Sequence, residues 1–124
     1  MDESTTLEKM DGFAAWRPVG NFNFPEAVQA VARTIAQARD EGIGKLLVVG
    51  TQVSGFDPPS IAERHQMVRE WADVAEGRVI MAIVMHGEFI DPERFGVVAA
   101  RNFGFSMNVF ESESEAIAWL KQPY

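Results

Sequence analysis

Short, wholly apolar runs separated by longer amphipathic stretches constrain this chain more than any other feature. Residues 46–49 and 79–85 carry no polar side chain. A strand shielded on one face alternates apolar and polar residues, so unbroken runs of this length predict strands covered on both faces. Between them lie helix signals. Pro25 suits a first helical turn, and Val28, Val31, Ile35 and Ala38 recur at spacings of three and four until Gly42 and Gly44. Ser60 with Glu63 forms the capping-box pattern ahead of Ile61, Val68, Trp71, Ala72 and Ala75, and Gly77 ends that stretch. Asp91-Pro92 predicts a third helix start, with Phe95, Val98 and Ala99 inward and a stop near Gly104. Ser112 with Glu115 predicts a fourth, carrying Ala116, Ile117, Trp119 and Leu120.

Residues 13–16 read as a short strand, and Pro18 just after it suits a sheet edge. Phe105, Met107 and Val109 alternate with Ser106 and Asn108, which predicts a last strand near the other edge. Strand–helix alternation of this kind implies an α/β fold. The expectation is a mostly parallel mixed sheet of four to five strands with about four helices. Residues 13–124 would form a single domain, and residues 1–12 a polar lead-in or a first edge strand. A length of 124 residues fits one domain able to bury a core without staples.

Composition narrows the function classes. There is no cysteine, which removes disulfides, thiolate nucleophiles and cysteine-ligated metals. The net charge is −7, and no two lysines or arginines are adjacent, so nucleic acid is not an expected partner. The longest apolar run, seven residues at 79–85, is far below the ~20 needed to cross a bilayer. The first eleven residues hold four acids and one lysine, which is unlike a secretory leader. A cytoplasmic protein of bacterial style is the expectation.

Ligands of open parallel sheets meet the carboxyl ends of the strands, beside helix N-termini. That rule singles out residues 50–60, with Thr51, Ser54, Gly55, Phe56, Asp57 and Ser60 as the candidate partner or ligand loop. The plainer alternative is a connection in which Ser60 only caps and Phe56 only packs. His86, Glu88 and Asp91 follow the next strand and face the same end, an arrangement that could hold acid–base chemistry. No nucleotide-cradling G-x-x-x-x-G-K-[ST], no G-x-S-x-G elbow at Ser54 and no paired-histidine spacing is present. Neither a metal nor a cofactor is therefore expected, and no catalytic residue is assigned. His65 reads as a histidine at the edge of the core. Trp16, Phe22 and Phe24 crowd one segment, as core or as an interface.

Gly42-Ile43-Gly44-Lys45-Leu46-Leu47-Val48-Val49, Asp91-Pro92-Glu93-Arg94-Phe95-Gly96 and Val109-Phe110-Glu111 followed by Glu115-Ala116-Ile117-Ala118-Trp119-Leu120 together carry a resemblance. Over residues 13–120 the chain resembles the STAS domain (sulfate transporter and anti-sigma-factor antagonist), in its bacterial SpoIIAA-like, STAS/SEC14-like branch. The resemblance implies a serine, phosphorylated by a kinase partner, in an Asp-Ser-Ser-Gly-like turn before the second helix. The corresponding turn here is Asp57-Pro58-Pro59-Ser60, which keeps the aspartate but sets proline at the phosphoserine position.

Three functions follow as expectations. The first is a non-enzymatic interaction or regulatory module that binds a protein partner or small anionic ligand at the 50–60 loop. The second is a carrier of a small apolar ligand or lipid. The third is an enzyme using His86 with Glu88 or Asp91. Homodimerisation is a further expectation, from the irregular aromatics and the sheet edges.

Overall fold

The computed structural model describes residues 7–122. Its strands are β1 (Glu8–Lys9), β2 (Ala14–Trp16), β3 (Gly20–Asn21), β4 (Lys45–Val49), β5 (Val53–Ser54), β6 (Ile80–Val84) and β7 (Met107–Phe110). Its helices are α1 (Phe24–Asp40), α2 (Ile61–Ala75), α3 (Phe95–Asn102) and α4 (Glu113–Leu120), with a 3-10 turn at Gly87–Phe89. The main sheet runs β1-β2-β4-β6-β7, parallel except for antiparallel β1, and β3 pairs with β5 in a separate parallel ribbon. The expected mixed α/β sheet with four helices is therefore what forms.

Strand order explains the layering. From β2 to β7 the chain always steps in the same direction, so connections of one hand carry α1, α2 and α3 to the same face. Leu46, Val48, Met81 and Ile83 point to that face and join Val28, Ile35, Val68 and Trp71 in the larger core. The alternate residues Leu47, Val49, Ala82 and Val84 point the other way, where α4 closes a smaller core with Ala116 and Leu120. Leu46 and Leu47 are both fully shielded, each worth on the order of 1.5–3 kcal/mol. Strands β4 and β6 lie in register, Leu46 beside Met81 and Val48 beside Ile83, which is the doubly covered pair the apolar runs predict.

The helix starts follow from capping chemistry. Ser60 Oγ accepts the Glu63 N–H at 3.1 Å and the Glu63 carboxylate accepts the Ser60 N–H at 2.8 Å. Asn23 and Glu26 form the same reciprocal pair ahead of α1, a capping box that attention to Pro25 alone passes over. Ser112 accepts from Glu115 N–H at 3.2 Å. Between α1 and α2, Trp71 Nε1 donates to the Val28 carbonyl at 3.1 Å.

Four expectations need correction. Strand β2 is not an edge, because β1 pairs outside it and Pro18 falls beyond its last hydrogen-bonded residue. Glu8–Lys9 pairs antiparallel with β2 at the sheet edge, while residues 1–6 of the expected lead-in lie outside the described part. Ile61 is 64% exposed and Val98 46% exposed rather than inward. Helix α3 begins at Phe95, one turn later than Asp91-Pro92 suggests, with Arg94 as its left-handed N-cap at φ 55°.

Candidate functional site

The carboxyl ends of β4 and β6 present the two candidate groups side by side. Residues 50–60 are not irregular throughout: Val53–Ser54 is β5, hydrogen-bonded to β3. Phe22 N–H donates to the Ser54 carbonyl at 2.7 Å and Gly20 N–H to the Gln52 carbonyl at 3.2 Å. Gly55 sits at φ +111°, and a Cβ there would run into the Phe22 carbonyl oxygen and reach 2.8 Å from Asn21 Oδ1. Only glycine lets the loop lie this close to β3. Asp57, Pro58 and Ser60 are exposed beyond that brace, at the start of α2.

Phe56 is half-buried, not displayed. Its ring meets Phe24 edge-on at 5.8 Å and Phe89 edge-on at 5.6 Å between centroids. The three rings line a half-open apolar cavity of about 140 Å³ whose walls also include Trp16, Phe22, Val31, Met67 and Met85. Sequence reasoning picks out Trp16, Phe22 and Phe24 but not their purpose, places Met85 only as the end of an apolar run, and passes over Phe89. Five large side chains around one sheet end, more than a core of this size absorbs, are the signal that could have found the cavity.

His86 is exposed, and its Nε2–H donates to the Thr51 carbonyl at 3.0 Å, so this histidine ties the two connections together. Among the described residues no hydrogen bond joins it to Glu88 or Asp91. The Asp91 carboxylate instead accepts the Phe95 N–H at 2.7 Å and the Glu93 N–H at 3.3 Å. The Phe95 N–H is the main reason its carboxyl is held below the usual range; the Glu93 N–H and Arg64 act in the same direction. Glu88 is exposed, and among the described residues no hydrogen bond joins it to either. The three residues share an end of the sheet but form no acid–base relay.

Cations in this region also have structural partners. Arg64 donates to the Phe89 carbonyl at 3.3 Å, and Arg94 to Asn108 Oδ1 at 2.6 Å and the Val109 carbonyl at 2.8 Å. His65 is exposed, and its ring rests edge-on against Phe103 at 5.2 Å rather than at the edge of the core. No group of three or more metal-ligating side chains occurs among the described residues. No described helix is long and apolar enough to cross a membrane.

An anti-sigma factor antagonist from Mycobacterium paratuberculosis superposes with a TM-score of 0.59 at 12% identity, over 94% of this chain and 92% of that one. The chain has the SpoIIAA-like fold. An uncharacterised protein with a SpoIIAA-like fold from Shewanella loihica superposes with a TM-score of 0.50 at 15% identity, over 93% and 90% of the two chains. No protein-family model and no curated relative matches the sequence. At these identities the likeness is one of fold, and it agrees with the resemblance carried by the caps and apolar runs. In this chain Ser60 stands at the helix start with its Oγ engaged as the cap of α2.

Proposed function

We propose that residues 13–124 act as one non-enzymatic regulatory module that binds a protein partner through the 50–60 loop. One observation carries the reading. The loop is braced up to Gly55 by the β3–β5 bonds and the close Gly55 approach, and Asp57 and Pro58 follow directly, exposed at the end of the sheet. A loop ordered before binding loses less entropy on forming a complex. The fold shared with an anti-sigma factor antagonist supports the same reading by analogy. Thr51, Ser54 and Ser60 offer polar contacts around that apex. Phe56 serves from below as its anchor. His86 contributes by fixing Thr51. An acid–base role for His86 has no hydrogen-bonded carboxylate to support it.

Photo-crosslinking in cells of the source organism tests the proposal. A crosslinker in place of Asp57 is expected to trap one discrete protein, and a crosslinker in place of Asp73, exposed on α2, is not. An adduct of twice the chain's mass would identify the partner as a second copy. Equal trapping from both positions, or none from Asp57, would remove the loop from the account.

A further inference from the structure

The free edge of β7 carries an inference that stands whether or not the loop binds a protein. The main sheet ends in two edge strands, β1 and β7. An edge presents N–H and carbonyl groups on which another strand can add. Strand β1 offers little, being only Glu8 and Lys9, both charged and exposed. Strand β7 is the longer and more apolar edge, Met107-Asn108-Val109-Phe110. Met81 N–H donates to the Ser106 carbonyl and Met85 N–H to the Phe110 carbonyl. Even-numbered residues of β7 therefore turn their backbone groups to β6, and odd-numbered ones turn them outward. Of the outward pair, Met107 is only 5% exposed, whereas Val109 is half-buried. Val109 is where an added strand would bond.

Both outward groups of Val109 are already taken. Its N–H donates to Asn108 Oδ1 at 2.9 Å. Arg94 Nη1 carries two N–H bonds: one reaches the Val109 carbonyl at 2.8 Å and the other Asn108 Oδ1 at 2.6 Å. The three contacts close a ring over the edge. No ion pair holds Arg94 among the described residues, although the chain has 18 acids to 11 bases. Its backbone is left-handed at φ 55°, a conformation that disfavours a residue with a Cβ. That strain sits at the residue whose side chain closes the edge, and the same side chain makes no cap bond to α3. We infer that Arg94 and Asn108 form a clamp that shuts β7 against strand addition, and that the strand it shuts out is β7 of a second copy. Two β7 edges brought together antiparallel about a two-fold axis set Val109 opposite Val109, where each N–H meets the other's carbonyl. The edge is self-complementary once the clamp is gone.

Arg94→Gly removes the guanidinium and accepts φ 55° without strain, so the sheet itself is left intact. In sedimentation equilibrium the full-length variant should self-associate about tenfold more strongly than the unaltered chain, the worth of the two backbone bonds that become available. Adding Val109→Pro should cancel that gain, because proline removes an outward N–H and no bond to β6. Should the glycine variant fail to fold, Asn108→Ala takes the acceptor from Val109 N–H and the anchor from Arg94, and the same gain and the same cancellation are expected of it. Association of the altered chain no stronger than that of the unaltered one would overturn the inference. So would a gain that survives Val109→Pro, since the copies would then be meeting elsewhere.

Discussion

Replacing Gly55 by alanine should undock the candidate loop and leave the main sheet standing. Two costs meet at this position. Holding an L-residue at φ +111° costs about 1–3 kcal/mol. The new methyl would also press on the Phe22 backbone and on Asn21 Oδ1, which cannot retreat while β3 stays paired with β5. The strain is limited by what holds the loop down. Two backbone bonds, Phe22 to Ser54 and Gly20 to Gln52, are worth about 0.5–1.5 kcal/mol each. The ring contacts of Phe56 with Phe24 and Phe89 add about 0.5–1.5 kcal/mol apiece if they are lost. Once strain exceeds these terms, release of the loop is the cheaper outcome, so the loss of stability should level off at about 2–6 kcal/mol. Urea unfolding measures the total. Hydrogen exchange measures where it falls: the Gly20 and Phe22 amides should lose protection about 30-fold or more. The Gly50 and Met81 amides, bonded to Val84 and Ser106, should follow global stability only. A loss under about 0.5 kcal/mol with the Phe22 amide still protected would refute the reasoning, because the Cβ would then have found room.

Ser60→Ala should cost about 1 kcal/mol in thermal or urea unfolding, since it removes the Oγ that accepts Glu63 N–H, and Ser60→Asp should recover most of it. The lowered pKa of Asp91 makes the start of α3 sensitive to acid. A carboxylate whose pKa is lower in the folded state stabilises that state above its unfolded value, about 3.9, and ceases to as pH falls through the lower folded value. The Phe95 amide should therefore lose protection only below about pH 4, and Asp91→Asn should remove that acid transition when amide shifts are followed against pH.

What the sequence makes legible, and what it hides, divides along physical lines. The apolar runs and the Ser60–Glu63 box reveal themselves because each is a local pattern with one low-energy reading. Helix faces are harder. Ile61 lies two turns before Val68 on the same stripe, so its phase is correct; the first turn of α2 simply extends past anything to pack on, and the side chain stays exposed. Helix α3 fails for the opposite reason. Its inward arc is set by Gly96, Ala99 and Ala100, small residues that let it approach α2, where a Cβ on Gly96 would already touch Val68 at 3.9 Å. A reading weighted by hydrophobicity promotes Val98 above them. Strand β2 takes its interior place from a two-residue partner, β1, too short to announce itself by periodicity. The cavity is hidden more deeply still, because Trp16 ends β2 while Phe56 and Phe89 lie in the connections after β5 and β6, and they meet only through topology.

Phe56 belongs at once to the lining of the cavity and to the loop that carries Asp57, and this sets a bound on how strongly the two can communicate. A ligand shifts a conformational equilibrium only by the difference in its affinity for the two states. The states available here are a loop docked through Phe56 and a loop released, separated by the ring contacts and ribbon bonds that give about 2–6 kcal/mol. Occupancy of the cavity can therefore change the affinity of a loop-binding partner by no more than this gap allows, about 30-fold at its lower end and tenfold more for each further ~1.4 kcal/mol. The sign would follow from where a bound molecule sits against Phe56: one that leaves its contacts with Phe24 and Phe89 in place favours the docked loop, and one that displaces the ring favours release.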